Sequence, residues 1–417
     1  MNIGHLYKIF CQHPVVTTDS RDCPEGSIFF ALKGDNFNGN EYATMALEKG
    51  CSYAVVDEPI DGISDNRLIF VDNVLSTLQM LANHHRRQLG IRIIGVTGTN
   101  GKTTTKELIA SVLSKKFNVL YTQGNFNNHI GVPKTLLRMT GEHDIAVVEM
   151  GANHPGEIKA LVDIVEPDYG IITNVGKAHI EGFGSFEGVI KTKGELYDFL
   201  RTGSKNVFIN ENNEYLMGIS QELNLIKYGN NGKVIACYPY LRMEYEGKEI
   251  KTKLIGAYNI DNALAAATIG HYFGVGEEKI CEALAEYTPS NNRSQLKQTD
   301  SNTLIIDAYN ANPTSMMAAL KNFRDMQVNN KMAILGDMRE LGNISAEEHQ
   351  RVVEFVNEMQ IECWLVGSEF GRTDCDFRKF SNVDEVIAAI NLQKPHNRCI
   401  LIKGSNGIKL FQLPEHL

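Results

Sequence analysis

The sequence predicts an α/β protein with three domains. Apolar runs of strand length alternate with amphipathic stretches of helix length through the middle and the end of the chain. This alternation is typical of parallel sheets with crossover helices. A polar stretch at residues 288–292 interrupts it and predicts the last domain boundary. We therefore place the domains at residues 1–82, 83–290 and 291–417.

The first domain is predicted to be a small α/β module. Its apolar runs Ser27–Leu32 and Tyr53–Val56 have the length of strands, and Tyr42–Lys49 has the composition of a helix. A second helical stretch, Leu78–Arg87, would link this module to the next one.

The middle domain is predicted to be a parallel sheet with antiparallel strands added. It opens with a buried strand at Ile91–Val96 and a helix at Thr103–Phe117, in which apolar residues recur four positions apart. Further strands are predicted at Asp144–Glu149, Tyr169–Asn174 and Asn206–Ile209. Antiparallel strands at Lys233–Ile235, Arg242–Tyr245 and Lys251–Ile255, around a turn at Glu246–Lys248, come before a helix at Asn259–Gly270.

The last domain is predicted to be Rossmann-like, because strand–helix alternation resumes there. Its predicted strands are Thr303–Asp307, Ala333–Gly336, Cys363–Val366 and Cys399–Ile402.

Composition and charge exclude several classes of protein. Hydrophobic residues make up 43% of the 417 residues, and the net charge is 41 − 50 = −9. An acidic chain lacks the basic surface that nucleic acids and anionic membranes require, so we expect neither as a partner. The N-terminus has no signal-peptide pattern, and the eight cysteines are scattered without a CxxC pair. We expect reduced thiols and a cytoplasmic, monomeric protein.

A glycine-rich segment, Gly95–Thr104, lies between a predicted strand and a predicted helix. The backbone N–H groups of such a turn, together with the helix N-terminus, form a cradle for phosphate. Lys102 is placed to reach the outer phosphates and Thr103 to ligate Mg²⁺. Kinases, translocating ATPases, GTPases and ligases all use such loops, although no Asn-Lys-x-Asp motif of a GTPase is present. A tight turn without a ligand is the alternative interpretation.

Other polar residues follow the neighbouring strands. Glu149 ends an apolar run beside the loop, where α/β sheets place magnesium ligands, although such a residue taken alone is more often a solvated strand end. Thr173–His179 also follows a strand. His179 and Lys193 on their own would be read as ordinary surface residues.

Taken together, these segments resemble the Mur ligase family, the ATP-dependent amide ligases of peptidoglycan precursor synthesis, over essentially the whole chain. The family-wide features are Gly95–Thr104, Glu149, Asn174–His179, Asn259–Ala263, Arg293 and Asp307. Other segments are similar to the members that add D-alanyl-D-alanine to UDP-N-acetylmuramoyl-tripeptide: Gly124–Leu137, Lys193–Leu196, Asp307–Asn312 and Leu335–Gly342. Asp19–Arg21 and Phe29–Gly34 resemble the UDP-precursor module of those members.

The resemblance implies that ATP phosphorylates the carboxylate of the tripeptide and that the amine of D-alanyl-D-alanine attacks the acyl phosphate. It implies four catalytic residues: Lys102, His179, Lys193 and Arg293. Thr103 and Glu149 would hold one Mg²⁺, and His179 would hold a second one with Lys193 as its carbamate.

The resemblance also implies two sets of binding residues. Those for ATP are Gly98, Thr99, Asn100, Gly101, Lys102, Thr103, Thr104, Asn259, Asn262, Arg293 and Asp307. Within that set, Asn262 with Asn259 would bind adenine, Asp307 the ribose and Arg293 the γ-phosphate. Those for the other substrates are Ser20, Arg21, Asn127, Asn128, Asn310 and Asn312. An ordinary alternative exists for the pair Asn259 and Asn262, which could cap the helix that follows.

Three other functions stay open at this point. One is a family member that adds a single amino acid, although the chain lacks the Asp-Asn-Pro-Arg motif expected of the diaminopimelate- or lysine-adding member. The others are a non-catalytic nucleotide-binding relative and a kinase.

Overall fold

The computed structural model describes residues 2–59, 65–289 and 294–417, and its strands form four sheets and a small two-stranded ribbon. The predicted α/β architecture is present throughout. Both predicted domain boundaries stay predictions. Residues 82–83 lie inside a continuous helix, and residues 290–291 lie outside the described residues.

The N-terminal part is built on a parallel sheet of order β1-β2-β5-β6. Its elements are α1 (Ile3–Gln12), β1 (Val16–Thr17), β2 (Ile28–Phe30), β3 (Lys33–Gly34), β4 (Phe37–Asn38), α2 (Ala43–Glu48), β5 (Tyr53–Val56), β6 (Leu68–Phe70) and α3 (Val74–Leu89). Helix α3 begins at the Asn73 cap, whose side chain accepts from the Ser76 N–H, and ends at Gly90 in the left-handed region.

The middle part contains a six-stranded parallel sheet of order β12-β11-β10-β7-β9-β8. Its elements are β7 (Arg92–Thr97), α4 (Lys102–Leu113), β8 (Val119–Tyr121), α5 (Gly131–Leu136), β9 (Ile145–Glu149), α6 (Glu157–Val165), β10 (Tyr169–Ile172), α7 (Ile180–Phe183), α8 (Phe186–Thr202), β11 (Asn206–Asn210), α9 (Glu214–Gly218) and β12 (Asn224–Tyr228). Alternate residues of β7 and β9 enter two separate cores, one on each face of the sheet, as strand geometry requires. The sheet is therefore buried on both faces, like other parallel sheets.

An antiparallel sheet and two helices complete this part: β13 (Gly232–Ala236), β14 (Arg242–Tyr245), β15 (Lys248–Lys251), α10 (Ile260–Tyr272) and α11 (Glu277–Glu286). The predicted strand Lys251–Ile255 is wrong, because β15 ends at Lys251. Glu246 and Gly247 both have positive φ and form a tight two-residue turn, so the strand starts immediately after them.

The C-terminal part is a six-stranded sheet of order β16-β17-β21-β18-β19-β20, in which only the β16–β17 pair is antiparallel. Its elements are β16 (Gln295–Gln298), β17 (Asn302–Asp307), α12 (Pro313–Asp325), β18 (Lys331–Gly336), α13 (Ser345–Glu358), β19 (Glu362–Val366), α14 (Ser368–Gly371), β20 (Arg378–Phe380), α15 (Val383–Leu392) and β21 (Arg398–Lys403). The carboxyl ends of β17, β18 and β21 lie at one edge, where a sheet of this kind binds ligands.

Candidate active site

The glycine-rich loop joins β7 to α4 in a conformation that glycine makes possible. Gly98 has a φ of 141° and Gly101 a φ of 76°. The backbone N–H of Asn100 donates to Asn174 Oδ1 over 2.9 Å, which ties the loop to the segment after β10. Lys102 Nζ folds back and donates to the carbonyl oxygens of Gly98 and Thr99 at 2.9 and 3.1 Å. Its ammonium therefore lies at the loop.

Thr103 and Glu149, which were predicted to share a metal ion, are in direct contact. Thr103 Oγ1 lies 3.0 Å from Glu149 Oε2, and Asn127 Nδ2 donates to Oε1 over 2.8 Å. The Glu149 side chain is buried at the end of β9, and its backbone N–H donates to Thr122 Oγ1. A buried carboxylate beside a hydroxyl is a donor set of the kind that Mg²⁺ binds.

His179 and Lys193 lie against the same ring, Phe183, but in different environments. His179 has a left-handed backbone and contacts the Glu340 carboxylate through Nδ1, and burial lowers its pKa although Glu340 opposes the shift. Lys193 on α8 is buried and donates to the Ala152 carbonyl at 3.2 Å. Burial, reinforced by the charge of Lys102, holds the pKa of Lys193 well below its ordinary value.

The two asparagines predicted to bind adenine are linked to the helix after the phosphate loop. Asn262 Nδ2 donates to Asn259 Oδ1 over 2.8 Å, and Asn262 Oδ1 accepts from Thr105 Oγ1 on α4 over 3.0 Å. Asn259 occupies the cap position of α10, but its side chain makes no capping hydrogen bond and donates instead to the Ile255 carbonyl. The helix-cap interpretation of Asn259 is therefore wrong.

Asp307, at the end of β17, faces Lys403, at the end of the neighbouring β21. Lys403 Nζ lies 2.5 Å from Asp307 Oδ2 and 3.3 Å from the Asn310 carbonyl, and the Lys403 side chain is buried. Sequence reasoning gave Lys403 no role, although it ends an apolar strand in the same way as Asp307 and Glu149. Arg293 lies outside the described residues.

A cleft of about 690 Å³ collects most of the predicted residues between the middle and C-terminal sheets. The predicted residues that line it are Thr99, Asn100, Gly101, Lys102, Thr103, Thr104, Asn127, Asn128, Glu149, His179, Asn259, Asn262, Asp307, Asn310 and Asn312. Lys403, Tyr258, Asp261 and Tyr309 also line it and were not predicted. Lys193 is buried behind the wall of the cleft.

Ser20 and Arg21 do not line this cleft. They lie between β1 and β2, where the Arg21 guanidinium pairs with Asp19 over 2.7 Å and is largely exposed. The Ser20 carbonyl accepts from Lys49 Nζ over 3.0 Å. Hydrogen bonds from Arg21 lower the pKa of Asp19, and the charge of Lys134 on α5 of the middle part adds to this. A role of Ser20 and Arg21 in substrate binding stays a prediction.

Several polar contacts join the middle part to the C-terminal part, and three of them are between side chains at or near the predicted site residues. Asn100 and Asn312 exchange amide hydrogen bonds, with Asn312 Nδ2 donating to Asn100 Oδ1 over 2.7 Å. Lys177 Nζ lies 2.6 Å from Glu348 Oε1, and His179 contacts Glu340. Side chains from both parts thus hold the two sheets together beside the cleft.

Comparison with known proteins shows which family this chain belongs to. Residues 96–270 match the profile of the Mur ligase middle domain, and residues 292–406 match that of the "Mur ligase, glutamate ligase domain". The UDP-N-acetylmuramoyl-tripeptide–D-alanyl-D-alanine ligase of Bacillus subtilis is 33% identical over 96% of this chain and 92% of its own length. The chain belongs to the Mur ligase family.

Other members of the Mur ligase family agree with this assignment. The ligase of the same name from Escherichia coli is 36% identical over 81% of this chain and 78% of its own length. A crystal structure of MurF from Acinetobacter baumannii is 30% identical, covers 96% of this chain and 92% of that one, and has a TM-score of 0.87. The family and the three-domain α/β fold predicted from the sequence are confirmed. None of the described helices is both long and apolar enough to cross a membrane.

Proposed function

We propose that this chain joins D-alanyl-D-alanine to UDP-N-acetylmuramoyl-tripeptide and converts ATP to ADP and phosphate. The relatives described above carry the name of this activity. The observation that carries the proposal is a single cleft in which a phosphate loop, a buried carboxylate and the edge of a second sheet meet. The similarity to these ligases over nearly the whole chain disfavours a kinase, and the second sheet edge would hold the amine acceptor.

The reaction needs a leaving group on a carboxylate, which is otherwise a poor acyl donor. An oxygen of the tripeptide carboxylate attacks the γ-phosphorus, the bond to ADP breaks, and an acyl phosphate forms. The amine of the dipeptide then attacks the acyl carbon, phosphate leaves with the bonding electron pair, and the nitrogen loses a proton. Lys102, whose ammonium lies at the phosphate loop, would stabilise charge on the transferring phosphoryl group more than in the ground state.

The residues present fit magnesium. Thr103 and Glu149 would hold one ion, and His179 with a carbamylated Lys193 would hold a second one. Mg²⁺ would neutralise phosphate charge during the transfer. In the described part of the chain, no group of three or more His, Cys, Asp and Glu side chains is arranged to bind a metal, so both sites depend on other donors.

Lys193 suits carbamylation because its amine is buried and its pKa is held low. A neutral amine attacks CO₂ and loses a proton, and the product is a carbamate anion. That reaction turns a cationic side chain into an oxygen ligand. A positively charged lysine at this position would instead repel the metal ion.

The remaining proposed roles concern the binding of the nucleotide and of the two other substrates. Asn259 and Asn262 would bind adenine, Asp307 the ribose and Arg293 the γ-phosphate. Asn310 and Asn312 would bind the dipeptide side of the cleft. Asn127, which donates to Glu149, and Asn128, whose Oδ1 accepts the Gly131 N–H at the start of α5, would face the UDP-tripeptide together with Ser20 and Arg21.

The experiment that tests the proposal measures phosphate release from ATP. With UDP-N-acetylmuramoyl-tripeptide present, adding D-alanyl-D-alanine should start continuous release of phosphate and form the pentapeptide product. Single amino acids such as lysine or diaminopimelate, offered with the precursor one residue shorter, serve as the comparison. Turnover with a single amino acid and none with the dipeptide would show a different ligase of the family.

A further inference from the structure

The reaction described above gives no role to a lysine buried beside Glu149. Lys106 lies on α4, one turn after Lys102 and Thr103, and its side chain is 0% exposed. A buried ammonium is costly unless charges and hydrogen bonds compensate for its lost hydration. Its surroundings therefore indicate which group it serves.

The Lys106 ammonium is held next to the proposed metal-binding carboxylate. Nζ donates to the Thr122 carbonyl over 2.7 Å, lies 3.9 Å from Glu149 Oε2 and lies 3.5 Å from Glu107 Oε1. Thr122 joins the two charged residues, because its hydroxyl accepts the Glu149 backbone N–H over 3.0 Å. Lysine, carboxylate and threonine thus form one buried unit.

Glu149 needs a positive charge when no metal ion is bound. Its side chain is 1% exposed, and the hydroxyl of Thr103 and the amide of Asn127 that contact it are neutral. A carboxylate this deeply buried is unfavourable without a counter-ion. Lys106 supplies a cation within 4 Å of it.

We propose that Lys106 is the built-in counter-ion of Glu149 and holds this carboxylate in position before the metal ion arrives. The inference rests on the proposed function, since the metal site belongs to it. Lys106 is a positioning residue: it acts through Glu149. Its charge has two opposite effects, since it stabilises the metal-free site and repels the metal ion once that ion is bound.

A thermal-unfolding cycle on the full chain tests this role with four proteins: the wild type, Lys106→Met, Glu149→Gln and the double variant. In metal-free buffer, Lys106→Met should lower the melting temperature of the wild type by roughly 6 °C or more, because it leaves a buried charge unpaired. In the Glu149→Gln background, the same substitution should lower it by less than half as much. Lys115→Met is the matched control, because the ion pairs of Lys115 are with the exposed residues Glu282 and Glu286.

The rise in melting temperature on adding magnesium is a second measurement. It would be the same in Lys106→Met and the wild type if Lys106 contributed only packing. With ADP present, adding MgCl₂ should raise the melting temperature of Lys106→Met more than that of the wild type. The metal then replaces the missing charge, and no ammonium opposes it.

The outcomes distinguish a role of the Lys106 charge from a role of its side chain in packing. An equal loss in both backgrounds, or a magnesium shift in Lys106→Met no larger than in the wild type, would overturn the proposal. If Lys106→Met does not fold, folding of the double variant supports the proposal, and failure of the double variant while Glu149→Gln folds overturns it. The cycle uses no acceptor substrate, so its result is independent of the phosphate-release test of the proposed function.

Discussion

Gly101 allows the energetics of the phosphate loop to be tested with a single methyl group. Its φ of 76° lies in the left-handed region, and a Cβ there would lie 2.6 Å from Asn262 Oδ1. Asn262 cannot move away freely, because it is buried and hydrogen-bonded to Thr105 and Asn259. Gly101→Ala therefore combines backbone strain of about 1–2 kcal/mol with the loss of two hydrogen bonds of roughly 1 kcal/mol each.

We expect Gly101→Ala to lower the free energy of unfolding by about 3 kcal/mol. It should also raise the KM for ATP, because Asn262 is displaced. Gly90→Ala is the matched control, since Gly90 has a φ of 61° and no atom within 4 Å of the added Cβ. In Gly90→Ala, the free energy of unfolding should fall only by the cost of the backbone strain. Urea unfolding followed by circular dichroism, with phosphate release against ATP concentration, measures both effects. Equal losses in the two variants with an unchanged KM would refute this reasoning.

Four further predictions concern the cleft and its closure. Lys102→Ala should lower turnover by at least about 10²-fold and leave the circular dichroism spectrum unchanged; near-normal turnover would remove Lys102 from the mechanism. Lys193→Ala should be nearly inactive in the same assay, unaffected by bicarbonate and partly rescued by short carboxylic acids; full activity would assign Lys193 a purely structural role. Lys177→Ala should lower the free energy of unfolding by roughly 1–3 kcal/mol, because the Glu348 side chain is 4% exposed, and Glu348→Gln in that variant should restore most of it. Small-angle scattering should show a smaller radius of gyration with an ATP analogue and UDP-tripeptide than without them; an unchanged radius, if the free protein is open, would contradict closure as the gating step.

The sequence predicted the parts of the fold that depend on local patterns. The apolar runs of β7, β9 and β10 appear as strands within two residues of their predicted ends, because each run is buried on both faces. Short edge strands such as β8 and β20 were not predicted, since three residues carry too little periodicity. The error at β15 arose because the predicted turn, Glu246–Lys248, is one residue too long: Glu246 and Gly247 form it, and this pair lacks the Asn-Gly or Asp-Gly signature of a two-residue turn.

The candidate site was predictable where a residue follows a strand, and less so where domains meet. Thr103 lies in the first turn of the helix after β7, and Glu149 ends the adjacent strand β9. Topology alone therefore brings them together. The contact of His179 with Glu340 joins residues 161 positions apart and depends on how two sheets pack. Lys193 is buried within the middle part, where it contacts Ala152 and Phe183, and no local pattern encodes this burial.

The amide pair of Asn100 and Asn312 joins the phosphate loop to a helix of the C-terminal part. Asn312 also caps α12, accepting the Ser315 N–H over 2.9 Å, so one side chain serves both the phosphate loop and the first turn of a C-terminal helix. If Asn100 moves when phosphate enters the loop, Asn312 at the start of α12 must therefore move with it or lose their hydrogen bond.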